Sequence, residues 1–357
     1  MGWDLSCRNF FEKQYMNRKN FLSTVVPLLS TSAAKDAIID NGILEDNSIK
    51  KIPPYLKTGD TIGITCPAGF ITLEEITPAI NKIIEWGFKV AIGSTVGKKD
   101  FTFGGTDEDR TNDLQQMLDN KQIKAIMCAR GGYGAVRIID QLDFTAFAKN
   151  PKWIIGFSDI TVLHSHINHN FGIATIHSKM CNSFPKDWAM ADPVQIVTIE
   201  SIRTCLAGEK MQYVAIPNAN NRMGNVNGLL VGGNLKTIES LAGSKSDLHT
   251  AGKILFVEDT GEYLYSIDRM FWNLKRSGKL DKLAGLLIGG FKIKKEETEA
   301  EAFGKTLEEI VLEKVKEYKY PICFDFPVGH QKNNFALKCG VQHNLSVTIE
   351  NCSLTCQ

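Results

Sequence analysis

Apolar and polar positions alternate along this chain with two different periods, and the order of those periods predicts the architecture. Thr61 to Cys66 is a short apolar run closed by Pro67-Ala68-Gly69, which reads as a strand and a turn. Glu74 to Trp86 places Ile76, Ile80, Ile83 and Ile84 at helical spacing, with Gly87 as its stop. Lys89 to Gly93 is the next strand. Thr106 to Asn120 is a helix with Asp107, Glu108 and Asp109 in its first turn, where the helix dipole favours acids. The strand Ile123 to Cys128, a helix from Ala135 to Gln141, the strand Trp153-Ile154-Ile155-Gly156, a helix from Ile160 to His169 and the strand Ile173 to Ile176 continue the series. Strand–helix–strand order of this kind predicts a parallel sheet with helices on its faces.

From Cys181 to Asn225 the periodicity weakens. Pro185, Pro193, Pro217 and the polar run Asn218-Ala219-Asn220-Asn221 read as a connection, with one helix over about Pro193 to Leu206. Beyond it strands dominate: Gly228 to Leu235, Lys253 to Val257, Leu283 to Phe291, Ile322 to Asp325, and Asn344 to Ile349 as the last. Tyr265 to Lys275 and Lys305 to Tyr318 read as helices. The expected fold class is α/β: an N-terminal parallel-sheet domain over residues 55–185, a connection over 186–225, and a smaller mixed, strand-rich domain over 226–350.

Length and composition agree with two ordinary globular cores: 357 residues, 43% apolar and 23% charged. A net charge of +1 provides no field for nucleic acid or an anionic membrane, and no apolar run is long enough for a membrane span. Nine scattered cysteines form no Cys-x-x-Cys pair and no Cys/His cluster at zinc spacing, so reduced, buried thiols are expected. Residues 1–48 stand apart as a leader. From Met16 they run through Asn-Arg-Lys-Asn, the apolar stretch Phe21 to Leu29 and a small-residue tail, as a secretory signal does. Fifteen residues precede that stretch, Asp4 and Glu12 among them, which fits a disordered or loosely docked leader instead. A cytoplasmic protein is expected, or an exported one if the segment acts as a signal.

Three stretches carry candidate chemistry. Trp153 to Gly156 runs into Phe157-Ser158-Asp159, the pattern of a strand-to-helix turn that lifts a serine to its tip; an ordinary strand end with Ser158 or Asp159 as N-cap is written the same way. Ala129-Arg130-Gly131-Gly132-Tyr133-Gly134 leaves bare N–H groups at a strand end, suited to a phosphate, to a developing oxyanion, or to a plain turn. Glu258 ends one strand and His330 follows another, so serine, acid and histidine come in an order that serine hydrolases use. Such a histidine takes the serine proton while the acid holds its tautomer. Glu258 can equally cap a turn or pair with Arg269, and His330 can be a packed core histidine. His164, His166 and His169 do not share one helix face and are read as solvent-facing or packing residues; His177 lies near enough to bind substrate or to serve structurally.

Together these segments resemble the LD-carboxypeptidases, the serine peptidase family that trims murein peptides and includes the microcin C immunity hydrolases. The blocks that carry the resemblance are Gly59-Asp60-Thr61-Ile62, Gly104-Gly105-Thr106-Asp107-Glu108-Asp109-Arg110, Ile123-Lys124-Ala125-Ile126, Arg130-Gly131-Gly132-Tyr133-Gly134 and Gly156-Phe157-Ser158-Asp159-Ile160-Thr161. Gly232-Gly233-Asn234-Leu235, Val257-Glu258-Asp259, Asp268-Arg269 and Gly329-His330 follow in the same order.

The resemblance implies an N-terminal domain related to class I glutamine amidotransferases and a triad of Ser158, Glu258 and His330 completed across the domain boundary. It implies oxyanion donors in the backbone N–H groups of Asp159 and Gly132, with Gly131 and Tyr133 beside them in the substrate-binding loop. The implied substrate is a murein tetrapeptide losing its terminal D-alanine, in a homodimer that needs no metal or organic cofactor. An aminoacyl-nucleotide hydrolase of the same fold, with Trp188 as a base platform, and a non-catalytic peptide-binding protein are the rival readings. One departure stands out: His177-Ser178-Lys179-Met180 occupies the place where the family often has His-Gly-Pro-Met.

Overall fold

The computed structural model describes residues 51–295 and 302–357. The leader over 1–48 and its signal-like segment lie outside the described residues.

The first half follows the expected alternation. In chain order it contains β1 (Thr61–Thr65), α1 (Leu73–Glu85), β2 (Lys89–Ile92), α2 (Asp107–Asp119), β3 (Ile123–Cys128), α3 (Ala135–Ile138), α4 (Thr145–Lys149), β4 (Trp153–Gly156), α5 (Thr161–Phe171) and β5 (Thr175–His177). Helices α1 and α2 start where side chains satisfy their free N–H groups. Thr72 and Glu75 form a capping box at α1, and Thr106 and Asp109 form another at α2. One side chain departs from the expected stripe. Ile76 and Ile83 are buried, but Ile84 is 56% exposed. It sits about 40° further round the helix than the half-buried Ile80, past the edge of the apolar face.

The connection holds α6 (Pro193–Ala207) and β6 (Gln212–Ala215). The second half holds β7 (Gly224–Asn234), α7 (Leu235–Ser240), β8 (Ile254–Glu262), α8 (Leu264–Arg276), β9 (Gly285–Ile293), α9 (Leu307–Lys314), β10 (Ile322–Cys323), β11 (Leu337–Cys339), β12 (Gln342–Val347) and β13 (Cys352–Cys356). The last strand is therefore β13, not the run ending at Ile349. Cys352, Leu354 and Cys356 alternate inward against Ser353 and Thr355, a period-2 pattern of a half-buried strand.

Two sheets result. The six-stranded sheet runs β11-β5-β4-β3-β1-β2, and the seven-stranded sheet runs β10-β9-β8-β7-β12-β13-β6. Strands β1 to β5 are mutually parallel, whereas β11 joins antiparallel to β5. In the second sheet β7 to β10 are parallel, and β12, β13 and β6 add antiparallel pairs. Chain from the C-terminal stretch thus completes the first sheet, and chain from the connection edges the second. One apolar cluster accordingly includes Ile62 and Trp153 from the first sheet with Phe256 and Leu345 from the second. Helix α8 covers the other face of the second sheet with Ile267, Met270, Phe271 and Leu274, each buried side chain contributing about 1.5–3 kcal/mol. No helix of the described residues is long and apolar enough to cross a membrane. The described cysteines are all free and buried.

Candidate active site

The site forms where the C-terminal ends of the parallel strands of both sheets face each other, the position at which open α/β sheets collect ligands. Strand β4 is buried along its whole length and stops at Gly156. A Cβ on Gly156 would lie 2.9 Å from Ile160 Cγ1, so glycine is needed for the chain to turn this tightly. Ser158 follows at φ +62°, a left-handed conformation rare for a non-glycine residue and costing about 1–3 kcal/mol. A 3₁₀ turn over Ser158–Ile160 then opens into α5. The geometry is that of a nucleophile elbow, with a 3₁₀ turn in place of its second glycine.

The glycine loop lies directly against the elbow. A Cβ on Gly131 would sit 3.1 Å from Ser158 Cβ and 3.3 Å from its Oγ. Hydrogen bonds from three directions hold this loop. Gly69 N–H donates to Gly131 O at 2.9 Å, and the buried Arg110 donates from Nη1 to Gly134 O at 2.8 Å. The side chain of Asp159 accepts from Ala135 N–H at 2.8 Å. Burial pushes the Asp159 carboxyl up to about 6, against hydrogen bonds from Ala135 and Gly134 and the charge of Arg110. Among the described hydrogen bonds, the backbone N–H groups of Gly132 and Asp159 donate to no protein acceptor. Both residues line a cavity of about 360 Å³ with Ser158, Tyr133, Lys236 and Glu262.

On the second sheet, Glu258 is fully buried in the middle of β8 and does not end it as expected, because pairing with β9 carries the strand on to Glu262. Its Oε2 accepts from His330 Nδ1 at 2.5 Å and from the His330 backbone N–H at 3.2 Å. The pairing with Arg269 considered above does not form; Arg269 lies over the Tyr265 ring instead. Two glycines make room for the carboxylate. A Cβ on Gly329, at φ +95°, would lie 2.6 Å from Glu258 Cγ, and one on Gly289 would lie 3.3 Å from Glu258 Cβ. The His330 ring packs on Phe157, centroids 4.9 Å apart, which sets it beside the residue preceding Ser158. Among the described hydrogen bonds none joins His330 Nε2 to Ser158 Oγ; contacts of this kind are often long without substrate.

Asn234, Thr161 and Asp259 close the seam between the sheets, and their roles were not read from the sequence. Asn234 N–H donates to Thr161 Oγ1 at 3.0 Å, and its Nδ2 donates to Asp259 Oδ1 at 2.9 Å. Asp259 also accepts from the N–H groups of Lys236 and Thr260. Burial raises the Asp259 carboxyl to about 6. The usable signal was Gly233-Asn234 ending one strand and Asp259 directly after Glu258.

His164, His166, His177 and Trp188 are packing residues. His177 is wholly buried between Phe256 and Phe157, so it cannot meet substrate, and burial holds its imidazole well below the ordinary value. His164 and His166 are buried rather than solvent-facing, and His164 Nε2 lies 2.8 Å from Gly156 O beneath the elbow. Trp188 lies against Phe184 with the Lys82 ammonium 3.9 Å from its ring centroid, and is not part of the Ser158 cavity wall. Among the described residues no group of His, Cys, Asp or Glu is arranged to hold a metal ion.

Residues 62–178 match the LD-carboxypeptidase N-terminal domain, and residues 227–345 match the LD-carboxypeptidase C-terminal domain. Over 301 residues the chain is 32% identical to a Bacillus subtilis protein named "Probable murein peptide carboxypeptidase", covering 83% of this chain and 91% of that one. It is 27% identical to the microcin C7 self-immunity protein MccF of Escherichia coli, over 84% of this chain and 94% of that protein. The crystal structure of muramoyltetrapeptide carboxypeptidase from Oxalobacter formigenes matches with a TM-score of 0.73 at 25% identity, over 83% of this chain and 98% of the other. With both domains matched in order along one chain, this protein belongs to the LD-carboxypeptidase family.

Proposed function

We propose that this chain is a serine-type carboxypeptidase that hydrolyses the bond between an L-centre and the terminal D-alanine of murein tetrapeptides. Ser158 Oγ attacks the scissile carbonyl while His330 Nε2 takes its proton, and Glu258 holds the imidazole through Nδ1. The tetrahedral oxyanion is met by the N–H groups of Gly132 and Asp159. Collapse expels D-alanine, whose amine receives the proton from His330. Water, activated by the same histidine, then releases the tripeptide from Ser158. One water is consumed, and peptide and D-alanine are the products.

The single observation that supports this most is the buried Glu258–His330 pair set against Phe157 at the elbow. A buried acid directed at Nδ1 leaves Nε2 as the working nitrogen, which a merely packed histidine does not require. The family's carboxypeptidases supply the substrate class. A homodimer is part of the proposal on the same family grounds, and sedimentation of the purified chain reads it directly.

The test is mass spectrometry of a murein tetrapeptide incubated with the purified protein. Loss of one D-alanine is expected. An unchanged peptide alongside a cleaved aminoacyl-nucleotide would overturn the proposal in favour of the immunity-type reading, which MccF represents among the relatives. Neither substrate cleaved would favour a binding protein.

A further inference from the structure

Ser178-Lys179 directly follows β5 and places an ammonium at the end of that strand. Lys179 is only 8% exposed. Its Nζ donates to Thr198 Oγ1 on α6 at 2.8 Å and to the carbonyl oxygen of Lys332 at 2.7 Å, two residues beyond His330. Thr198 gives its own proton to Gln195 O at 2.9 Å, which leaves its oxygen free to accept. The Lys332 side chain runs elsewhere, to Asp192 Oδ2 at 3.2 Å. Burying an ammonium on two neutral oxygens costs stability, and burial lowers Lys179 to about 8, with Asp192 the nearby charge that opposes the shift.

We propose that Lys179 is a positioning residue for the reaction: through the Lys332 carbonyl it fixes the loop carrying His330 relative to the elbow carrying Ser158. This rests on the roles given to Ser158 and His330 above. Apart from the exposed Lys332–Asp192 ion pair, the other bonds near His330 come from its own half of the chain. His330 N–H goes to Glu258, Gly329 N–H goes to Asn334 Oδ1 at 2.9 Å, and Gln331 Nε2 goes to the carbonyls of Phe326 and Val328. They set the base against the acid, but not against the nucleophile. The Phe157 ring touches His330 from the elbow side, and Lys179 adds a hydrogen-bonded tie in that direction. It follows β5 by two residues, and β5 pairs with β4 at Gly156, so it moves with the elbow. Among the described residues, the next buried hydrogen bonds from this loop to earlier parts of the chain are at Ala336, whose N–H reaches Ser201 Oγ, and at β11. Lys179 cannot be a substrate-binding cation, because its ammonium is buried, already bonded, and absent from the wall of the Ser158 cavity.

The test uses three single variants of the full-length protein. Lys179→Met keeps the chain length without a donor; kcat on the tetrapeptide should fall about tenfold to a hundredfold while KM holds within about twofold. The rate at which a fluorophosphonate labels Ser158, which needs no murein peptide, should fall by a similar factor. Lys332→Ala retains the carbonyl and should leave kcat within about twofold of the wild type. Thr198→Val removes only the other acceptor; it should lower Tm as Lys179→Met does but keep kcat within about threefold. A wild-type kcat in Lys179→Met, or kcat losses that track Tm across the variants, overturns the inference. A wild-type protein that fluorophosphonate does not label at Ser158 overturns the nucleophile assignment beneath it, and a labelled protein that leaves tetrapeptide intact overturns the substrate alone.

Discussion

Past the C-terminal end of β4, an interior strand of the first sheet, Ser158 is held by its own backbone. The strand behind it is buried, Gly156 allows the turn, and φ +62° sets the side chain at the tip. Across the seam, Glu258 and His330 are held by what surrounds them. Glu258 sits in space cleared by Gly289 and Gly329, and His330 rides on a loop pinned by the distant side chains of Lys179 and Glu258 and by the nearby Asn334. On the proposed mechanism the contrast divides the labour of one site: local covalent geometry presents the proposed nucleophile, while tertiary packing presents the proposed acid and base. Damage to packing should therefore disable the second partner before the first.

Ser158→Ala should have the largest effect, a loss of at least about 10⁴-fold in kcat, with the thermal melt little changed because alanine meets the same backbone strain. A variant that keeps most of its tetrapeptide activity would remove the elbow from the mechanism. Gly329→Ala should come next. A left-handed φ and a Cβ pressed on Glu258 should cost on the order of 1–3 kcal/mol in urea melts and about a hundredfold in kcat. If kcat survives that change, the acid–base pair is less dependent on packing than the comparison holds.

Asp159→Asn probes the first sheet through pH. Burial lifts Asp159 from an ordinary 3.8 to about 6, so the fold favours its protonated form. That contribution is complete below pH 3.8 and is lost as pH rises through about 6. Wild-type Tm should therefore carry a downward share between those values, and the variant should lose that share. Asp259, raised to a similar value, keeps part of the slope. An unchanged Tm–pH curve would show that Asp159 is not the titrating group. The smallest effect is expected of Ile84→Lys, within about 0.5 kcal/mol by denaturant titration, since this side chain stands in solvent.

The parallel units were legible because each is written in adjacent residues. Apolar runs gave β1 to β4, and the acids Asp107 and Asp109 marked the start of α2. The short pieces were missed. The strands β6 and β11 and the helix α4 are too brief for periodicity to show, and β11 is a strand only because β5 offers it an edge. Within the site, Ser158, Glu258 and His330 could be singled out by residue type and order. That Glu258 meets His330 across 72 residues, and Lys179 meets Lys332 across 153, was not readable from either neighbourhood. Ile84 and His164 show the same limit in single side chains: apolarity and helical spacing name a residue's face, but the neighbouring element decides whether that face is covered.

The sequence by itself determined the order of the longer strands and helices, the glycine-permitted turn at Ser158 and the family of the chain, because those rest on local sterics and on motifs carried by consecutive residues. Only the tertiary structure decided that His177 is a buried packing residue, that Asn234 and Asp259 close the seam, and that Lys179 grips the loop of His330. Those depend on which distant groups share a desolvated space, where a buried polar atom must find a partner or lose its charge.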